Sequence, residues 1–255
     1  MNRQGPDKIE WTDWTWNPVT GCRHGCEYCY ARRTMQRFCA YHSSRILLDP
    51  EENERTAFGP AFHPERLAEP NKLQHPARVF VVNMGDLMGS WVPQDWIEQV
   101  IEVVRSCPRH TFQFLTKNPK RYMKFAWPEN AWLGATATDQ KSWDHAVYFL
   151  KYLSHRPRVL PIRFVSVEPL LTRIYPHTLK YLDWLIIGAM TGPGAAPHRP
   201  ERAWVEELMD KARGAGVPVF LKSNLKSVMP EIAADPAKYQ KYPDLHPVSN
   251  GGCKP

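Results

Sequence analysis

The chain has no apolar run approaching the roughly 18 residues that a membrane-crossing helix needs. Its first stretch, MNRQGPDKIEW, lacks the apolar centre of a secretory signal. A Gly-rich phosphate loop, an H-E-x-x-H and a G-x-S-x-G are all missing, so the common nucleotide hydrolase, metalloprotease and esterase readings gain no support. There is no internal repeat and no low-complexity tract. These absences lead to the expectation of a cytosolic, membrane-free protein. In that compartment clustered cysteines serve as metal ligands or catalytic groups rather than disulfides.

With 255 residues, 43% of them hydrophobic, the chain is expected to form one α/β domain over 1–255. Pro-rich stretches at 59–76 and 191–200 read as long loops, and a polar tail is expected over about 235–255. The net charge of +7 and a pI near 9.1 suit an acidic partner such as nucleic acid. Ten tryptophans is a high count, and Trp11, Trp14 and Trp16 crowd one stretch, where they could pack in the core or stack on bases.

Short β-branched or aromatic runs predict strands at Val79–Asn83, Thr111–Leu115, Trp132–Thr136, Arg163–Val167, Trp184–Ile187 and Val217–Leu221. Helices are predicted at Gln94–Ser106, Ser142–Leu153 (with Ser142 as N-cap) and Ala203–Arg213. Strands alternating with helices imply parallel pairing by right-handed crossovers. The expectation is a partial or full parallel βα barrel of about six to seven strands, with a doubly wound sheet as the alternative. Past each run the sequence turns polar: Asn83 to Asp86, Thr116 to Asn118, Ser166 and Glu168, Gly188, and Lys222 to Asn224. Strand ends that share one mouth build sites in this fold class.

The segment from Gly21 to Ala31 reads G-C-R-H-G-C-E-Y-C-Y-A, placing three of the six cysteines in a C-x3-C-x2-C pattern with no fourth close behind. Structural zinc sites and conventional cubane clusters use four protein ligands. Three thiolates on one loop can hold three irons of a four-iron cluster and leave the fourth open to a ligand. A zinc site completed by Cys39 or His42 stays possible on spacing alone, while His24 sits too close to Cys22 for comfortable joint ligation. Cys39 and Cys107 read as small buried hydrophobes.

The cysteine loop, with Tyr28 just before Cys29, resembles the signature loop of the radical S-adenosylmethionine superfamily. The flanking I-E-W-T-D-W-T-W-N-P-V-T-G-C, with N-M-G-D-L, L-T-K-N-P, V-S-V-E-P-L and V-F-L-K, resembles a phage-associated radical-SAM-like family of unknown function over roughly 9–225. Members of that family often carry a longer insertion between the first two cysteines; here the spacing is the short superfamily one.

The resemblance implies a radical-SAM-like barrel carrying a [4Fe-4S] cluster on Cys22, Cys26 and Cys29, with S-adenosylmethionine as co-substrate. It implies a ferredoxin or flavodoxin as electron donor, and the host cytoplasm as the location if the gene is phage-borne. Tyr28 would lie by the adenine, and Asn83, Gly85 and Asp86 by the methionine ammonium, with Asp86 as its carboxylate partner. Lys117, after Thr116, would meet the methionine carboxylate. Ser166 or Glu168 would meet the ribose, and Gly188 would admit the adenine. Lys222 and Asn224 would face substrate or phosphate. Lys117 and Glu168 could instead enter an interior Lys–Glu pair, and Asp86 an Asx turn. Cys253, in S-N-G-G-C-K-P, is a candidate hydrogen-atom donor. The expected activity is modification or repair of a nucleic-acid component, with a small molecule or peptide as alternative substrate and a non-catalytic zinc or cluster-bearing nucleic-acid-binding module as the third reading.

Overall fold

The computed structural model describes residues 1–6, 8–37, 46–49, 51, 57–153 and 162–244. Cys39, His42 and Cys253 lie outside the described residues, and with them the roles expected of them. Packing divides the described chain into two units that meet in sequence between Trp132 and Leu133. No described helix is long and apolar enough to cross a membrane.

The first unit contains, in chain order, β1 (Asn2–Arg3), β2 (Trp14–Trp16), β3 (Val19–Thr20), helix α1 (Tyr30–Arg37), β4 (Ile46–Leu47), β5 (Ala61–Phe62), β6 (Arg78–Val81), α2 (Gln94–Ser106) and β7 (Thr111–Thr116). Strand β2 pairs in parallel with β6, and β6 with β7, while β1 adds an antiparallel edge. Strands β3, β5 and β4 form a small antiparallel sheet. Helix α2 is the crossover that parallel pairing of β6 with β7 requires. It buries Trp96, Ile97, Val100, Ile101 and Val104, the face its 3.6-residue spacing marks out. Trp11 and Trp16 are core residues, and Trp16 Nε1 donates to the Arg66 carbonyl at 2.8 Å.

The second unit, which begins at the third residue of β8 (Ala131–Ala137), continues through α3 (Gln140–Leu153), β9 (Arg163–Val167), β10 (Trp184–Ile187), α4 (Arg202–Gly214), β11 (Val219–Leu221), α5 (Glu231–Ala234) and α6 (Pro236–Tyr239). Neighbours β8–β9, β9–β10 and β10–β11 are all parallel. Strand β10 is buried along its whole length, as a strand covered on both faces must be. Three strands of the first unit and four of the second take part in parallel pairing, within the expected six to seven. Each unit is thus α/β with a mostly parallel sheet.

The differences from expectation are local. Strand β6 stops at Val81, because Val82 adopts φ 60° and turns the chain before Asn83. Strand β11 starts two residues later than predicted, at Val219. Helix α3 opens at Gln140 rather than Ser142. Its cap is Asp139, whose Oδ1 accepts the Ser142 N–H at 2.8 Å while Ser142 Oγ accepts the Asp139 N–H at 3.1 Å, a reciprocal capping box. The tail expected from about 235 begins instead with α6. The Lys241 N–H then donates to the Val219 carbonyl, and Tyr242 stacks on Trp184 at 5.4 Å.

Each unit anchors its sheet with the same device. Arg78, the first residue of β6, places Nη2 at 2.9 Å and Nε at 3.2 Å from the two oxygens of Asp13, just ahead of β2. Arg163, the first residue of β9, does the same to Asp183, just ahead of β10, at 3.1 and 3.0 Å. The fork of a guanidinium matches a carboxylate in this geometry and fixes two neighbouring strands at their starts. Burial acts to raise the Asp13 carboxyl, but the hydrogen bonds and charge of Arg78 outweigh it and hold the group below the ordinary carboxylate range.

A carboxyl lowered on folding stabilises the fold above its unfolded pKa of about 4, and that stabilisation is lost as pH falls toward the lowered value. Asp13→Asn is therefore expected to lose stability near neutral pH and to match wild type in strong acid. The side chain of Asp13 is 42% exposed, so solvent screening limits the loss to about 1 kcal/mol or less. Urea unfolding of both proteins across the acid range reads this out.

Candidate functional site

The cysteine loop is held at its stem by close backbone contact. Gly21, at φ 85°, packs so tightly that a Cβ there would lie 2.2 Å from the Gly59 carbonyl oxygen. On its other side Gly21 bridges Gly85, and its N–H donates to the Met84 carbonyl at 2.9 Å. The Cys22 N–H donates to the Phe58 carbonyl at 3.1 Å. Asn17 reinforces the stem: its Nδ2 donates to Asn83 Oδ1 at 2.7 Å, and its Oδ1 accepts the Met84 N–H at 3.0 Å. At the far side of the loop, Tyr30 Oη donates to the Asn83 carbonyl at 2.8 Å. The loop thus docks on the segment that leaves β6.

Asp86 is the hub of this docking. Its Oδ1 accepts the Met88 N–H at 3.0 Å and the Thr116 hydroxyl at 2.7 Å. Its Oδ2 accepts the Lys117 N–H at 3.0 Å and faces His24 Nε2 at 2.7 Å. A carboxylate offers about four lone-pair sites, and here four donors occupy them. Asp86 therefore joins the ends of β6 and β7 to the middle of the cysteine loop. The Asx-turn geometry is present through Met88. The His24 ring also lies edge-on to Trp91, with centroids 4.8 Å apart.

Lys117 reaches into the same loop. Its ammonium donates to Tyr28 Oη and lies 4.9 Å from the centroid of the Tyr28 ring. The Cys26 thiol interacts electrostatically with both groups. Burial pulls the Lys117 ammonium down, but Tyr28 and Cys26 outweigh it and leave it raised. Burial also lifts the Tyr28 phenol, against the opposing hydrogen bond and charge of Lys117. Within its own unit, the partner of Lys117 is the tyrosine.

The three thiols are half-buried and unpaired with one another by disulfides. Burial pushes the Cys22 thiol up to about 12, with Asp86, Cys26 and Cys29 adding to the rise and the His24 N–H opposing it. The His24 N–H donates to Cys22 Sγ at 3.5 Å, and the Arg32 N–H, in the first turn of α1, donates to Cys29 Sγ at 3.4 Å. A helix start is a natural place for an anionic ligand. Among the described residues, no three His, Cys, Asp or Glu side chains converge closely enough to hold a metal ion. The donor set nonetheless fits a cluster: three soft sulfurs on one loop, backbone N–H donors at two of them and an ammonium near the third.

The second unit gathers a separate polar group at the ends of β9, β10 and β11. Glu168 Oε1 accepts from the Lys222 ammonium and from Asn224 Nδ2, the latter at 3.3 Å. Asn224 also closes a two-way bond with the Ala189 backbone, at 2.9 Å each way. Gly188 makes room for the pair: a Cβ there would lie 3.1 Å from both Glu168 Cδ and Lys222 Cδ. The interior Lys–Glu pair thus forms with Lys222. Ser166, two residues before Glu168 on the same face of β9, is buried with its hydroxyl unpartnered.

Sequence reasoning missed Asn17, Tyr30 and the pairing of His24 with Asp86. The signals were faint but present: Asn17 lies in the W-N-P-V-T-G-C run, and His24 inside the cysteine pattern. Cys107 is buried as expected, with its thiol donating to Asn71 Oδ1 at 3.0 Å.

A family model described as a protein of unknown function, DUF5131, matches residues 6–234, and the chain belongs to that family. No curated protein and no solved structure matches the chain.

The stem yields a direct test. Gly25 also has positive φ, 71°, but a Cβ there would meet nothing within 4 Å. Gly25→Ala is expected to lose only the roughly 1–2 kcal/mol of a left-handed non-glycine residue. Gly21→Ala, which adds a clash with backbone, is expected to lose clearly more in urea unfolding.

Proposed function

We propose that this DUF5131 member is a [4Fe-4S]-dependent radical S-adenosylmethionine enzyme acting on a nucleic acid or a nucleotide-derived substrate. The observation that carries the reading is the loop of three half-buried thiols, docked at the ends of β6 and β7 with donors at its sulfurs. Cys22, Cys26 and Cys29 would hold the cluster. A cluster ligated in this way supplies one-electron cleavage of the S-adenosylmethionine sulfonium and, through it, hydrogen-atom abstraction from a substrate. A ferredoxin- or flavodoxin-like protein would deliver the electron.

The chain's own residues would hold and shield this chemistry. Asp86, Thr116 and His24 keep the loop on the strand ends, and Asn83 and Gly85 support its stem. Lys117 keeps a cation beside Cys26, where the anionic centre or a ligand carboxylate would meet it. Tyr28 offers an aromatic face. Taken by itself, the second unit offers a buried, unpartnered Ser166 hydroxyl and the Glu168 carboxylate beside Gly188, held by Lys222 and Asn224. Support for a nucleic-acid substrate comes from the net charge of +7.

Anaerobic reconstitution followed by reduction with dithionite in the presence of S-adenosylmethionine tests the reading. The expected result is about four irons per chain and release of 5′-deoxyadenosine, with the release abolished in Cys26→Ala. Stoichiometric zinc, no iron uptake and no cleavage would replace it with a zinc-bearing binding module.

A further inference from the structure

The second unit carries an exposed aromatic and basic ridge that has no part in the site above. Along α3, Lys141, His145, Tyr148 and Tyr152 recur at spacings of four, three and four residues, so they form one stripe. All four are exposed, with Tyr148 54% and Tyr152 45% accessible. The two tyrosine rings lie 4.9 Å apart, tilted by 57°. Tyr175, 56% exposed, is fixed beside the start of the same helix, because its N–H donates to Gln140 Oε1 at 2.7 Å. Arg173 lies 4.8 Å over the Tyr175 ring while also paired with Glu207, and Lys151, on the flank of the stripe, lies 5.2 Å from the centroid of the Tyr181 ring.

Two observations decide what such a ridge fits. Among the described residues every large hydrophobic side chain that is exposed is a tyrosine, and the phenylalanine beside the stripe, Phe149, is half-buried with its ring against Tyr148 and His145. Exposed aromatic rings suit a partner with flat faces to stack on. Charge points the same way: the stripe and its flank offer Lys141 and Lys151 against Asp144, whose Oδ1 is engaged by Gln140 at 2.8 Å. Planar rings between cations suit bases between phosphates. From Gln140 to Tyr152 the helix rises about 18 Å, enough to run past roughly three to five nucleotides.

We infer that the Tyr148–Tyr152 ridge of α3, extended by Tyr175, is a docking surface for single-stranded nucleic acid. The inference deepens the nucleic-acid part of the proposed function, and it rests on geometry independent of the cysteine loop.

Fluorescence anisotropy with a labelled oligothymidylate, on the full chain, tests it. Binding is expected to weaken with salt. Tyr148→Ala and Tyr152→Ala are each expected to weaken it at least about fivefold, and Tyr148→Phe to stay within about twofold of wild type, because stacking needs the ring and not the hydroxyl. Lys141→Gln and Lys151→Gln are expected to flatten the log–log salt slope by about 0.7 each. Unchanged thermal melting keeps these effects apart from misfolding. No binding, or binding unchanged by loss of the rings, overturns the inference. So does a Tyr148→Leu variant that binds as wild type, since a generic apolar surface would then suffice. Ridge-dependent binding without 5′-deoxyadenosine release leaves the ridge standing and removes the radical reading. Cysteine-dependent release without oligonucleotide binding overturns the ridge alone.

Discussion

The saturated carboxylate of Asp86 is the constraint on which the candidate site depends. A buried carboxylate is costly unless its lone pairs are met. Here they are met by donors from three places: the turn after β6, the end of β7 and the middle of the cysteine loop. A small buried volume thereby ties a loop of no regular structure to two strands. The loop itself buries little that is apolar, so its position is set by polar satisfaction and by the glycine contacts at its stem.

That arrangement gives the thiols a fixed base without fixing the thiols. Between Gly21 and Tyr30 the loop is pinned at its stem, at His24 and at Tyr28. The sulfurs sit on the stretches between those pins and gather backbone N–H donors where the local geometry provides them. A soft metal centre would replace burial, which now pushes the Cys22 thiol up, with the charge that a buried thiolate lacks. Lys117 adds a permanent positive group on the same side.

Much of this was legible in the sequence, for a physical reason. Long buried strands and amphipathic helices announce themselves by period, so β9, β10 and α2 stand where the pattern put them. The short strands β1 to β5 are two or three residues long and carry no period. The end of β6 was overrun because nothing in V-F-V-V-N reveals the left-handed turn at Val82. Asp139 lost to Ser142 as the expected cap because both are good caps, and only the three-residue spacing marks the reciprocal box. The strand-end residues were found by type, but their partners were not. That Lys222 reaches Glu168 depends on tertiary placement that one sequence does not encode locally.

The paired Arg–Asp clamps have a consequence for the opposite end of the strands. They act at the starts of β6 and β9, whereas the chemistry-bearing residues emerge past the ends. Because side chains alternate with a period of two, a slip of one residue against a neighbour would send Ser166 and Glu168 to the other face together. A clamp at the first residue adds to the bias against that slip with the reach of one side chain. The clamps thus work as a phase lock, in which the floor of each sheet dictates which groups its rim presents.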